Sequence, residues 1–123
     1  MGGKDLRESD DVRFILSDML NTATLNESSI LAEAIQKGFE RVMKIENRGV
    51  KQAPFIVLSG ATMPAVLTEI AFISNPAQEK RLRDASFLNK ISESLYNSIL
   101  GYKKIYEEKT IPTASDERAE QKQ

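Results

Sequence analysis

One carboxylate stands where carboxylates are seldom found. Glu69 lies within Val66-Leu67-Thr68-Glu69-Ile70-Ala71-Phe72-Ile73, where every neighbour except Thr68 is apolar. Burying a carboxylate costs several kcal/mol unless it is paired, bound to a metal or protonated. Desolvation raises its pKa, which is how a glutamate comes to serve as an acid or base near neutral pH. The plainer reading is a carboxylate at a strand end, exposed or paired with Arg48 or Lys51. Pattern alone does not separate the two, because ion pairs often mimic sites.

The rest of the inventory narrows the chemistry. The 123 residues include no cysteine and no histidine. Imidazole is the commonest metal ligand and the usual base near neutral pH. A metal site built by this chain alone would have only oxygen donors, which suit magnesium or calcium better than zinc. Seventeen basic and 18 acidic residues give a net charge of -1. That balance offers no electrostatic reason to expect nucleic acid or an anionic membrane as a partner. No stretch approaches the roughly 18 apolar residues of a membrane span. The N-terminus, Met1 to Leu6, has no apolar signal region behind it.

The elements that would position Glu69 follow from periodicity. Residues 1 to 9 are polar and open with two glycines, so an irregular start is expected. Val12, Ile15, Leu16, Met19 and Leu20 share one helical face from Asp11 onward. Thr24-Leu25-Asn26-Glu27 fits a capping box, predicting a second helix to about Ile45 with Ile30, Leu31, Ala34, Ile35, Phe39, Val42 and Met43 as its apolar stripe. Asn47-Arg48-Gly49 is its expected stop, with Gly49 in a left-handed conformation. Phe55-Ile56-Val57-Leu58 and Ala65 to Ile70 read as strands. The second barely alternates and is expected to be buried on both faces.

Asn75-Pro76 predicts a short helix to about Asp84, with Asn75 as cap and Gln78 completing a box. A last helix is expected from Phe87 to Tyr106, on a stripe of Leu88, Ile91, Leu95, Ile99, Tyr102 and Tyr106. Polar composition after Glu107 predicts a disordered tail, which divides the chain into 1–106 and 107–123. Helices flanking strands imply an α/β class: about two strands and four helices, forming part of a mixed or parallel sheet. Two strands are too few for a stable sheet of their own.

Two stretches of the sequence, Arg48-Gly49-Val50-Lys51-Gln52-Ala53-Pro54-Phe55-Ile56-Val57-Leu58 and Met63-Pro64-Ala65-Val66-Leu67-Thr68-Glu69-Ile70-Ala71-Phe72-Ile73-Ser74-Asn75-Pro76, resemble the C-terminal signature of the zinc-dependent N-acetylmuramoyl-L-alanine amidases. Ala71 replaces the glycine usual there. A looser likeness runs from Asp5 to about Tyr102. The resemblance implies a peptidoglycan hydrolase of the cell envelope. Its zinc would be held by two histidines and a glutamate, and would activate a water that attacks the amide between N-acetylmuramic acid and L-alanine. Glu69 takes the position of the family's catalytic glutamate, moving the proton from that water to the leaving amine.

Both family histidines would lie upstream of the matched region. The expectation is therefore the C-terminal part of a catalytic domain, from a truncated chain, a broken frame or half of a split protein. It would bind no zinc by itself. Its partners would be peptidoglycan and either the missing N-terminal part of the domain or a second copy. Lys51 and Gln52 are weaker candidates for contacts to the peptide stem, as is Asn75, which helix capping explains better. A competing reading is a non-catalytic amidase remnant, or a helical interaction module that binds cell wall or a protein partner.

Overall fold

The structure, a computed structural model, describes residues 2–43 and 48–111, with side chains from Ser9 onward. Three α-helices carry it: α1 (Gly2–Val42), α2 (Pro76–Leu82) and α3 (Ala85–Thr110), with a single 3₁₀ turn at Ile56–Leu58. There is no strand among the described residues. The expected α/β class is thus replaced by an all-helical arrangement.

The two expected helices in the first third are one. From Lys4 to Lys37 the sequence holds neither glycine nor proline, so nothing forces a break, and α1 runs for 41 residues, about 60 Å. Its helical start at Gly2 also replaces the expected irregular N-terminus. The capping box at Thr24 is not used. Ser28 turns its hydroxyl back on the Thr24 carbonyl at 2.8 Å, and the Glu27 carboxylate is engaged across the molecule instead. Val12, Ile15, Leu16, Met19 and Leu20, expected to face a core, are all more than half exposed. The end of the expected second helix falls at residues 44–47, outside the described residues. Gly49 does take the left-handed conformation, at φ 74°.

The expected strands fail for two different reasons. At Phe55–Leu58 the backbone is satisfied locally: the Leu58 amide donates to the Phe55 carbonyl and Ser59 to Ile56. These short-range bonds wind the segment into the 3₁₀ turn and leave Ile56 92% exposed. From Pro64 to Phe72 the chain runs without turn or bend, yet no neighbouring strand meets it. Nor is it buried on both faces: Val66, Thr68 and Ile70 are half-buried while Leu67 and Glu69 are exposed. This is the two-residue alternation of extended backbone with one face covered.

The following elements match their local signals closely. Asn75 caps α2, accepting from the amides of Ala77 and Gln78, with Pro76 at the first helical position. Gln78 does not close a capping box; its carbonyl oxygen accepts from the Phe72 amide at 2.6 Å and ties the extended segment to α2. Asp84 caps α3 through the Ser86 amide. α3 continues to Thr110, and residues 112–123 of the expected tail lie outside the described residues.

α1 and α3 pack antiparallel. Glu27 meets Tyr102, Gly38 faces Ser94 and Ser98, and Ile35 and Phe39 share a core with Ile91. Those three apolar residues are 3–5% exposed, and Leu31, Met43, Val66, Ile70, Phe87 and Leu95 close around them. The extended segment is therefore the third wall of the core, holding it through Val66 and Ile70 and through the Ala65 amide, which donates to Ser28 Oγ at 3.0 Å.

The Tyr102 hydroxyl donates to Glu27 Oε2 at 2.9 Å. Burial, then this bond and the nearby carboxylate charge, push the phenol up to about 12 from its ordinary 10. Between those values the unfolded chain has lost a proton that the folded chain keeps, so stability falls as pH rises from 10 to 12. The loss should be about 1 kcal/mol, because the group is partly solvated. Urea melts of the wild type and Tyr102→Phe at pH 9 and 11.5 should show a steeper decline for the wild type. Equal declines would mean that the phenol titrates alike in both states.

Candidate functional site

α1 forms the floor of an open groove, the extended segment 65–72 one wall, and residues 48–63 with their 3₁₀ turn the other. It encloses about 850 Å³ and is lined mainly by apolar side chains, among them Phe39, Val66 and Leu67. Its polar lining includes Thr24 and Ser28 on α1 and Arg48, Lys51, Gln52 and Glu69 on the two walls.

Glu69 is exposed here rather than buried. The alternation of the segment explains this: Val66 and Ile70 turn toward the core, so position 69 must turn away. Among the described residues its carboxylate makes neither hydrogen bond nor ion pair, which also sets aside the pairing with Arg48 or Lys51. Arg48 instead holds its guanidinium 5.0 Å from the centre of the Phe72 ring, a cation–π contact that anchors one end of the groove. Lys51 and Gln52 are exposed on the wall facing Glu69's segment. Asn75 stands apart from the groove, with its side chain occupied as the α2 cap. The structure thus brings Glu69, Lys51 and Gln52 to one groove and leaves Asn75 outside it.

Sequence reasoning missed the contributions of Ser28 and Gln78, which hold the two ends of the extended segment. Gln78 was read as capping chemistry local to its helix, and Ser28 was given no role.

The family model for N-acetylmuramoyl-L-alanine amidase matches residues 12–101. The chain belongs to that amidase family. It is 33% identical over 103 residues to N-acetylmuramoyl-L-alanine amidase AmiA of Escherichia coli, covering 83% of this chain and 36% of AmiA. It is 34% identical over 102 residues to AmiC of Neisseria meningitidis, covering 83% and 24%. N-acetylmuramoyl-L-alanine amidase LytC of Bacillus subtilis is 35% identical over 75 residues, covering 61% and 15%. The chain therefore spans about a third or less of the length of these relatives. No solved structure matches it.

Membership in the family does not carry the expected mechanism into this chain. Zinc takes nitrogen and sulfur donors with tetrahedral geometry. The sequence has no imidazole and no thiolate, and the described residues hold no group of three His, Cys, Asp or Glu side chains. In the groove Glu69 is the lone carboxylate. These residues do not fit zinc. The expectation of a hydrolase fragment working through Glu69 and a zinc-activated water is overturned by this donor set and by the absence of any sheet among the described residues. No described helix is long and apolar enough to cross a membrane.

Proposed function

We propose that this chain is a non-catalytic member of the amidase family, a helical interaction module that holds a cell-wall polymer or a protein partner at the cell envelope without turnover. The groove carries this reading. It is concave, mostly apolar and furnished with a few polar groups, as binding sites are. Lys51 and Gln52 are the polar contacts to the ligand, and the described residues up to the end of α3 at Thr110 form the working unit. That the chain is one part of a larger amidase domain fits the short span of its relatives that it covers.

Turnover tests the reading directly. Dye-labelled peptidoglycan sacculi incubated with the full chain and added zinc should release no more dye than the buffer blank. Glu69→Gln should behave identically. Dye release by the wild type that disappears in Glu69→Gln would establish a hydrolase and end the non-catalytic reading.

A further inference from the structure

We draw no further inference here: the strongest candidate, the extended segment 65–71 along the open groove, carries nothing, because the chain spans about a third or less of the length of its relatives, the rest of such a domain is the occupant to which that points, and nothing in the structure shows what else covers this face.

Discussion

Phe39→Ala should lower the stability of the chain by about 3–5 kcal/mol, as truncation of a fully buried aromatic does. Phe39 is one of three buried apolar residues among those described, and it is the largest of them. Its neighbours Ile35 on α1, Ile91 on α3, and Val66 and Ile70 on the extended segment come from all three walls of the core. Removing the ring leaves a cavity that none of these can fill without parting from another. A small domain has only about 5–15 kcal/mol of net stability, so this one substitution removes a large share. The readout is thermal unfolding followed by circular dichroism, where the midpoint should fall by more than 10 °C for a domain of this size. A fall of less than about 4 °C would show that the core is held elsewhere, on residues outside those described. The same substitution should also open the groove, because Phe39 lines its floor.

How much of this was legible in the sequence depends on how far each signal reaches. Signals that act within a few residues were read correctly: Asn75 and Pro76 start α2 where expected, and Gly49 adopts its left-handed turn. Periodicity also put Ile35 and Phe39 on one apolar stripe and Ile91 on another, though that the two stripes meet came only from the structure. Signals that need a distant partner failed. Phe55–Leu58 and Ala65–Ile70 have the apolar, branched composition of strands, but a strand exists only where another backbone answers it, and none does among the described residues. The capping box at Thr24 failed for a related reason: Glu27 had a better use as the acceptor for Tyr102, 75 residues away in the chain.

The site shows the same division. Glu69 was singled out for its apolar neighbours in the chain. Its burial was misjudged because composition does not say which face of an extended segment meets the core. Val66 and Ile70 settled that, and the phase they impose turns Glu69 into the groove. The lack of histidine, by contrast, is plain in the sequence itself, because it depends on no partner and no fold.

Gly38→Leu should be nearly as damaging as Phe39→Ala, through the opposite fault. A Cβ built on Gly38 would overlap the Ser98 hydroxyl and lie 2.9 Å from that of Ser94. The absence of a side chain at 38 is what lets α1 and α3 approach closely, and Ser94 is itself buried with its hydroxyl unbonded. Gly38→Ala has two opposing effects. It adds about 1 kcal/mol of helix propensity but forces the Ser98 hydroxyl off the Ser94 carbonyl, which it now meets at 2.8 Å, so the net change should be small. Leucine has no such balance. Its four carbons must drive the helices apart next to Ile35, Phe39 and Ile91, combining overpacking of about 1–3 kcal/mol with loss of the burial those residues share. A total of about 3 kcal/mol is expected in urea unfolding. Combining Gly38→Leu with Ser94→Ala and Ser98→Ala should restore only part of it, because two deleted oxygens make room for two of the four added atoms. Full additivity of the three substitutions would show that residue 38 and the two serines do not meet, and that the close approach of α1 and α3 at this point is not what holds the core together.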